Sequence, residues 1–183
     1  MSSLPSKPPI AAARWARIKL FAMDVDGVLT DGTVLVSSDG SESKAFSVLD
    51  GLGLARVRDN GIQLAWISGR HSGATTKRAE ELRIPHLIQG RHDKATALKE
   101  LVTKLGVERD DFCYMGDDDI DVGAMIFAGI GISVPAGMPA ALAAADYITT
   151  LPAGRGAVRE ICNLILQARG VIPPHTTSPA PHA

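Results

Sequence analysis

Aromatic residues are scarce in this sequence and make up 4% of its 183 positions. A protein with so few rings has little with which to stack the bases of a single-stranded nucleic acid. Charge of one sign is lacking too, because the formal net charge is −1 and no stripe of Lys and Arg is present. The composition therefore argues against nucleic-acid binding.

Long apolar runs and cysteines are also scarce. No run approaches the roughly 20 apolar residues that span a membrane, and Ala11-Ala12-Ala13 is too short for the core of a signal peptide. The two cysteines, Cys113 and Cys162, both lie in apolar patterns. They are predicted to be reduced core residues of a cytoplasmic protein rather than part of a disulfide framework.

Strand-like and helix-like patterns alternate along the chain, whose length predicts one domain. The predicted strands lie near residues 18–24, 62–67, 86–88, 112–115, 130–133 and 146–148. The predicted helices lie near residues 51–59, 72–83, 94–105, 119–128, 138–145 and 155–168. Such alternation is typical of a parallel sheet covered by helices on both faces. We therefore predict the α/β class, with a Rossmann-like doubly wound parallel sheet.

The two ends of the chain lack this periodicity. Residues 1–13 are predicted to be a flexible N-terminus, and residues 171–183 a disordered tail rich in Pro. The single domain is predicted to span residues 14–170. His175 and His182 are interpreted as part of the polar tail rather than as metal ligands.

One segment interrupts the alternation. Thr33–Ser37 and Lys44–Val48 are predicted to form two short strands around a turn at Ser38-Asp39-Gly40. Because this hairpin follows the first predicted strand, we expect it to overhang the C-terminal edge of that strand. It is either a gate over a site at that edge or an ordinary edge hairpin.

Two carboxylates follow the first strand in the run Met23-Asp24-Val25-Asp26-Gly27. Ligands of open α/β sheets bind at the C-terminal ends of the strands. Residues i and i+2 of a strand share a face, so Asp24 and Asp26 can point at the same reacting group. One carboxylate can attack while the other protonates a leaving group. The alternative is a plain turn, since Asp and Gly both tolerate turn geometry.

Two later segments add groups that suit a phosphate. Ser68 precedes Gly69-Arg70 after a strand, where a hydroxyl and backbone N–H groups can bind phosphate. Lys94 stands at the start of a helical pattern, where its ammonium can screen charge between a carboxylate and a phosphate. Each has a simpler interpretation alone: Ser68 as a helix N-cap and Lys94 as a solvated surface residue.

The segment Gly116-Asp117-Asp118-Asp119-Ile120-Asp121 follows another strand. Four carboxylates in five positions repel each other unless a cation neutralises them. Hard oxygen ligands of this kind suit Mg²⁺ shared with a substrate phosphate. The alternative is an acidic helix N-terminus favoured by the helix dipole, which accounts for Asp118 and Asp119 better than for Asp117.

In this order, and after successive strands, these segments resemble the haloacid dehalogenase superfamily of phosphotransferases. The resemblance implies Asp24 as the nucleophile that forms an aspartyl-phosphate and Asp26 as the general acid and then base. It implies that Ser68 and Lys94 hold the transferring phosphoryl group. The implied Mg²⁺ ligands are the carboxylates of Asp24 and Asp117 and the backbone carbonyl of Asp26, with support from Asp118 and Asp121.

Spacing is informative within this superfamily, whose members often carry a cap domain over the site. Only about 25 residues separate Ser68 from Lys94, and the hairpin and one helix fill the segment between Asp26 and Ser68. No room is left for a cap. Either the substrate is large, or a neighbouring subunit supplies the lid.

Further segments narrow the resemblance to the cap-less 3-deoxy-D-manno-octulosonate 8-phosphate (KDO 8-phosphate) phosphatase family, from about residue 18 to residue 170. They are Asp24–Gly32, Lys44-Ala45-Phe46, Asp50–Gly53, Ser68-Gly69-Arg70, Gly116-Asp117-Asp118 and Gly154–Glu160. The resemblance implies an Mg²⁺-dependent enzyme of KDO and lipopolysaccharide biosynthesis. It also implies a homotetramer whose subunits close each other's sites with the hairpin and the C-terminal segment.

The implied substrate is a small sugar acid phosphate, whose carboxylate suits guanidinium groups. The implied substrate-binding residues are Asp26, Ser47, Val48, Leu49, Asp50, Gly51, Gly69, Arg70, Arg78, Lys94 and Arg155. Apart from the resemblance, Arg78 is better interpreted as a solvated helix residue.

The chain departs from the family pattern at two positions. The family usually has Arg where this chain has Leu49, and a second Arg where it has Ala55. Loss of these cations leaves phosphate hydrolysis intact, but it leaves more than one sugar acid as a candidate substrate. A nine-carbon sugar acid phosphate is the nearest alternative. The cations that can compensate are Arg56, Arg58 and Arg155.

Two other functions compete with this prediction. Related domains attached to sialic acid cytidylyltransferases serve as tetramerisation modules without catalysis. A purely structural module has no need of Asp24, Asp26, Lys94 and Asp117 together, and this chain has all four. A phosphomutase is disfavoured because it must exclude water with a cap.

Overall fold

The computed structural model describes residues 9–171. Its strands are β1 (Leu20–Met23), β2 (Leu35–Val36), β3 (Glu42–Ser43), β4 (Gln63–Ser68), β5 (His86–Gln89), β6 (Phe112–Met115), β7 (Ile130–Ser133) and β8 (Tyr147–Ile148). Its helices are α1 (Ala12–Arg17), α2 (Val48–Asp59), α3 (Gly73–Leu82), α4 (Lys94–Leu105), α5 (Val122–Phe127), α6 (Pro139–Ala144) and α7 (Ala157–Ala168). Short 3₁₀ turns span Arg109–Asp111 and Asp119–Asp121.

Six strands form one parallel sheet in the order β5-β4-β1-β6-β7-β8. The chain leaves β1 towards β4 on one side and leaves β6 towards β7 on the other. This reversal opens a crevice at the C-terminal ends of β1 and β6, the place where such sheets bind ligands. The predicted α/β class with a doubly wound sheet is confirmed.

Two apolar cores lie on the two faces of the sheet. Alternate residues of β1 point to opposite faces, so Phe21 and Met23 join one core and Leu20 and Ala22 the other. Helices α1, α2, α3 and α7 cover the first face, and α4, α5 and α6 cover the second. Because both faces are covered, the central strands are continuous apolar runs.

Helix α1 was not among the predicted helices, and it begins at Ala12, inside the segment predicted to be flexible. Trp15 anchors it, being 3% exposed and packed edge-on against Tyr147 at 5.7 Å between ring centroids. Arg17 and Lys19 extend this anchoring by pairing with the carboxylate of Asp111. The predicted tail lies, except for Val171, outside the described residues.

The hairpin forms, but its second strand is earlier than predicted. Strands β2 and β3 pair antiparallel, with Leu35 opposite Ser43 and Val36 opposite Glu42. The predicted strand at Lys44–Val48 is absent because Ser47 caps α2, its hydroxyl oxygen accepting the backbone N–H of Asp50 at 3.3 Å. Helix α2 consequently starts three residues before its predicted position. Within residues 9–171 the hairpin is the one excursion between β1 and α2, and no cap domain is present.

None of the helices described in residues 9–171 has both the length and the apolar character needed to cross a membrane.

Candidate active site

Four predicted site residues meet at the C-terminal edge of the sheet. Asp24 directly follows β1, Ser68 ends β4, and Asp117 comes two residues after β6. Lys94 is the first residue of α4, which starts at the same edge. The backbone N–H of Asp24 donates to the carbonyl of Met115 at 2.9 Å, which joins the ends of β1 and β6 at the crevice.

Lys94 is the electrostatic centre of the site. Its side chain is fully buried, and Nζ lies 2.8 Å from a carboxylate oxygen of both Asp24 and Asp121. Burial alone would lower the pKa of Lys94, but the two carboxylates outweigh it and raise the pKa above its ordinary value. Lys94 therefore stays charged beside Asp24, contrary to its alternative interpretation as a solvated residue.

Asp24 and Asp117 are held where their negative charge is disfavoured. Burial, followed by the nearby Asp121 carboxylate, raises the pKa of each to about 7, with Lys94 opposing the shift. Carboxylate oxygens of Asp24, Asp117 and Asp121 lie within 4.8 Å of one another. Asp117 Oδ1 is buried without a hydrogen-bond partner among the described residues.

These features fit a divalent cation. A cation among the three carboxylates would offset their repulsion, and the unpartnered Asp117 oxygen is a free ligand atom. Gly27 keeps the space open, because a Cβ built there would lie 2.1 Å from Asp117 Oδ2. The donor set is all oxygen, as Mg²⁺ requires.

The buried carboxylate of Asp121 holds the loop after β6 in place through hydrogen bonds. Its Oδ1 accepts from Lys94 Nζ and from the Tyr114 hydroxyl, each at 2.8 Å, and its Oδ2 accepts the backbone N–H groups of Asp117 and Asp118 at 3.3 and 3.2 Å. Asp118, in contrast, is exposed, and its carboxylate accepts the N–H of Asp119. Asp121, bonded to Tyr114, is therefore placed to support the loop that carries Asp117. The Asp118 carboxylate caps the turn, and its predicted support of the metal ligands stays a prediction.

Tyr114 did not emerge from the sequence. It lies in an apolar strand, where an aromatic residue is ordinarily core, and nothing local marks its hydroxyl as part of a site. Burial and then the Asp121 charge raise its pKa well above the ordinary value, so the hydroxyl keeps its proton and donates.

Ser68 is 1% exposed, and its hydroxyl oxygen accepts the backbone N–H of Arg70 at 3.2 Å. This bond shapes the turn after β4 rather than capping α3, whose N-cap is Ser72. The Arg70 side chain extends away to Glu42 on the hairpin, with Nη2 2.6 Å from Oε2.

Asp26 has a partner that sequence reasoning missed. Lys44 Nζ donates to Asp26 Oδ2 at 2.9 Å and lies 2.7 Å from Oδ1, and the Lys44 side chain is fully buried. The only sequence signal was the Lys44-Ala45-Phe46 run, which gave no role to the lysine. A contact across 18 residues has no local pattern.

Asp50 was predicted to bind substrate, but its carboxylate is bound elsewhere. It is 1% exposed, and its two oxygens accept the backbone N–H groups of Gly156 at 3.1 Å and Arg159 at 2.7 Å. Gly156 is the N-cap of α7 and has no side chain, so Asp50 supplies the missing acceptor from α2. The structure thus assigns the Asp50 carboxylate to helix packing.

Arg78 is not the solvated helix residue that its sequence context favoured. Its side chain is 16% exposed, Nη2 donates to the carbonyl of Ser47 at 3.3 Å, and the guanidinium lies over the Phe46 ring at 6.0 Å. Gly51 permits this, because a Cβ there would lie 2.5 Å from Arg78 Nη2. Gly69 also packs closely against another side chain, because a Cβ built there would lie 3.2 Å from Nδ1 of His92.

An open cleft of about 360 Å³ lies between the segment that joins β3 to α2 and the loop before α7. It is lined by Asp31, Ala45, Phe46, Ser47, Leu49, Gly154 and Arg155. Three predicted substrate contacts, Ser47, Leu49 and Arg155, therefore come together here, while Val48 beside them is 79% exposed. Of the cations proposed to compensate for Leu49, only Arg155 lines the cleft. Arg58 instead binds the carbonyl of Leu82.

Comparison with known proteins agrees with this geometry. Residues 84–161 match the family model of haloacid dehalogenase-like hydrolases. The chain is 39% identical over 165 residues to the 3-deoxy-D-manno-octulosonate 8-phosphate phosphatase of Escherichia coli K12, with 88% of each chain covered.

Two solved structures are similar throughout. The Moraxella catarrhalis 3-deoxy-D-manno-octulosonate 8-phosphate phosphatase, in complex with magnesium ion, phosphate ion and KDO, is 52% identical with a TM-score of 0.85, covering 87% of this chain and 91% of that one. The cobalt-bound Haemophilus influenzae deoxy-D-mannose-octulosonate 8-phosphate phosphatase is 36% identical with a TM-score of 0.83, covering 86% and 92%. The chain therefore belongs to the 3-deoxy-D-manno-octulosonate 8-phosphate phosphatase family of the haloacid dehalogenase-like hydrolases.

Proposed function

We propose that this protein is an Mg²⁺-dependent phosphatase that hydrolyses KDO 8-phosphate to KDO and phosphate. The observation that carries the proposal is the arrangement of Asp24, Asp26, Lys94 and Asp117 around one crevice. A non-catalytic oligomerisation module would not need a buried lysine between two carboxylates beside an unpartnered carboxylate oxygen, because burying such charges is costly. The family to which the chain belongs supports the same reaction.

Asp24 is the proposed nucleophile. Its carboxylate attacks phosphorus and forms an aspartyl-phosphate, while Lys94, 2.8 Å away, offsets the negative charge that the two groups bring together. Ser68 and the backbone after β4 hold the phosphoryl oxygens. When bound by Asp24, Asp117 and the Asp26 carbonyl, Mg²⁺ supplies further charge neutralisation.

Asp26 is the proposed general acid and base. It protonates the leaving oxygen of the sugar in the first step and takes a proton from the attacking water in the second. Its side chain is 20% exposed, and Lys44 Nζ lies within 2.9 Å of both carboxylate oxygens.

The sugar acid is proposed to occupy the cleft lined by Ser47, Leu49 and Arg155. Arg155 is a guanidinium in a position to bind the substrate carboxylate, and guanidinium groups bind carboxylates in a bidentate manner. Leu49 in the same cleft stands where the family usually has Arg. The loss of that cation leaves a nine-carbon sugar acid 9-phosphate as the second candidate.

We also propose a cytoplasmic homotetramer with shared active sites. Large apolar side chains on β2 and on the first turns of α2 are strongly exposed in the single chain: Leu35, Val36, Val48, Leu49 and Leu52. Such exposure is expected of residues that a neighbouring subunit covers. The buried free thiols of Cys113 and Cys162 suit a reducing compartment.

A substrate panel tests the proposal. Purified protein with Mg²⁺ is assayed by phosphate release against KDO 8-phosphate, 3-deoxynonulosonate 9-phosphate, sialic acid 9-phosphate and glucose 6-phosphate. The proposal expects kcat/KM for KDO 8-phosphate to exceed that for glucose 6-phosphate by at least about 100-fold. A higher value for a nine-carbon substrate would transfer the assignment to the second candidate, and no hydrolysis of any would refute both.

A further inference from the structure

The hairpin β2–β3 carries a buried cation into the proposed active site. Lys44 follows β3, and its fully buried ammonium lies 2.7 and 2.9 Å from the two oxygens of Asp26. Among the described residues, Lys44 Nζ also lies 3.3 Å from Thr75 Oγ1 and 3.8 Å from a Glu42 oxygen. A buried ammonium is stable only when its charge is paired and its protons are bonded, so Lys44 is strongly restrained to this position.

Because Lys44 is fixed in position, it also restricts the orientation of the Asp26 carboxylate. An isolated Asp side chain rotates freely about its terminal torsion, and only some orientations bring an oxygen to the leaving group. The ammonium donates a hydrogen bond to Oδ2 and pairs electrostatically with Oδ1 at 2.7 Å, so a single group restrains the carboxylate.

A second hairpin residue ties the same element to the other side of the crevice. Glu42 in β3 accepts a hydrogen bond from the Ser72 hydroxyl and one from Arg70 Nη2, at 2.5 and 2.6 Å. Ser72 is the N-cap of α3, the helix that also contributes Thr75 to Lys44. The hairpin is thus fastened to the start of α3 through the residues that hold Lys44 in place.

We propose that Lys44 is a positioning residue for proton transfer by Asp26, and that Glu42 fixes the hairpin so that Lys44 reaches it. The proposal rests on the proposed phosphatase function. In the first step Asp26 gives its proton to the leaving oxygen as the P–O bond breaks. In the second step the attacking water gives a proton to Asp26 as its oxygen bonds to phosphorus. Lys44 takes no part in either proton transfer and determines where the Asp26 oxygen lies.

Leaving-group dependence separates this role from a merely structural one. An alkyl phosphate releases a strongly basic alkoxide that must be protonated, whereas p-nitrophenyl phosphate releases a stable phenolate that needs no proton. Any alkyl phosphate that the wild type hydrolyses serves, so the test does not depend on which sugar acid is the substrate. We expect Lys44→Met to lower kcat about 10- to 100-fold on the alkyl phosphate, part of the 10²–10⁴-fold typical of general acid catalysis. Its loss on p-nitrophenyl phosphate should be at least ten times smaller.

Companion variants complete the experiment. Asp26→Ala should show the same leaving-group selectivity, and adding Lys44→Met to it should lower kcat no further, because the two residues act as one unit. Lys44→Arg should recover part of the lost activity. Lys77→Met removes an exposed lysine of α3 and should change neither rate. Thermal melts check that each variant is folded.

Glu42→Gln weakens the contacts of the hairpin with Arg70 and Ser72 but keeps the Lys44 ammonium. It should show the same preferential loss on the alkyl phosphate, but to a smaller extent.

Equal losses on the two substrates in folded Lys44→Met, or undiminished alkyl phosphate turnover, would overturn the positioning role. If Lys44→Met does not fold, Glu42→Gln decides by the same criterion. A wild type that hydrolyses p-nitrophenyl phosphate and simple alkyl phosphates but no sugar acid phosphate would refute the proposed substrate alone.

Discussion

At the scale of single residues, the site places carboxylates where burial and neighbouring carboxylates disfavour their negative charge. Asp24 lies beside one cation and within reach of two further carboxylates, and burial raises its pKa to about 7. This arrangement is unfavourable for a resting protein without a bound cation. It is favourable for a nucleophile whose charge must be available to a phosphoryl group and a metal ion.

Replacing Asp24 with Asn removes the only proposed nucleophile while keeping its shape. We expect phosphatase kcat to fall by several orders of magnitude, since covalent catalysis is lost. Circular dichroism should show an unchanged fold. Asp119→Asn is the matched control, because Asp119 is an exposed carboxylate in the 3₁₀ turn after β6, and it should keep most of the activity. Near-normal turnover by Asp24→Asn with Mg²⁺ present would contradict the mechanism.

Tyr114 is expected to act on the metal site through Asp121. Tyr114→Phe removes the hydroxyl that donates to Asp121 Oδ1 and leaves the ring packing intact. Loss of a partner behind a metal site typically weakens metal affinity about 10- to 100-fold, and we expect that range for Mg²⁺ here. Titration of activity with Mg²⁺ measures it. Tyr147→Phe, which removes a hydroxyl bonded to Glu160 away from the site, should leave the titration unchanged.

At the scale of elements, α2 and α7 pack as a pair joined by Asp50. The first turn of α7 has backbone N–H groups without partners inside the helix, and its Gly156 N-cap offers no side chain. Asp50 accepts two of these groups from α2. The loop before α7 places Arg155 in the cleft. The hydrogen bonds of Asp50 to the start of α7 therefore also help to position a proposed substrate contact.

We expect Asp50→Ala to lower the free energy of unfolding by about 2 kcal/mol, because it removes a helix cap and leaves buried N–H donors unsatisfied. Urea denaturation followed by circular dichroism measures the change. Asp59→Ala, on the same helix, removes a largely exposed carboxylate that pairs with the neighbouring Arg58. It should change stability by about 0.5 kcal/mol or less. Equal effects of the two variants would show that Asp50 is not a joint between the helices.

At the scale of the whole molecule, the metal site lies between elements that are distant in the chain. Asp24 follows β1, whereas Asp117 and Asp121 follow β6. A cation bound by these residues would therefore fasten the two central strands at their open end and stabilise the native state by mass action.

Chelation tests this at two levels. Thorough EDTA treatment should abolish phosphatase activity, and Mg²⁺ should restore it. The melting temperature should also rise when Mg²⁺ is returned, because the cation binds the folded chain. The Asp117→Asn variant should lose most of this rise. Full activity after chelation would show that the metal assignment is wrong.

Assembly is the last property at this scale. The exposed apolar residues of β2 and α2 lead us to expect a homotetramer, so light scattering should give about four times the chain mass of 19.2 kDa. Val48→Glu places a charge on the most exposed of these residues and should dissociate the assembly. Arg155→Ala should keep the tetramer but reduce turnover of sugar acid phosphates. A monomer with full activity on small substrates would refute shared active sites.

The sequence by itself determined the α/β class, because alternation of apolar patterns is local and each strand and helix carries its own period. It also determined the positions of Asp24, Ser68 and Asp117, since polar groups directly after buried strands must meet at one edge of a parallel sheet. Lys94 was placed in the site by the family resemblance, because a lysine at a helix start is by itself ordinarily a solvated residue. The roles of these residues stay predictions until the variants are measured.

Only the tertiary structure decided which distant side chains act together. The Lys44–Asp26 contact spans 18 residues, and the bond from Gly156 to Asp50 spans 106. No periodicity encodes such pairs, because each depends on how the hairpin and α7 pack against the sheet. The same packing assigned the Asp50 carboxylate to a helix cap and brought Leu49 and Arg155 into one cleft. Folding buries these groups, and a buried charge or N–H group without a partner raises the free energy of the folded state. Pairs such as these therefore form between residues that are far apart in the chain.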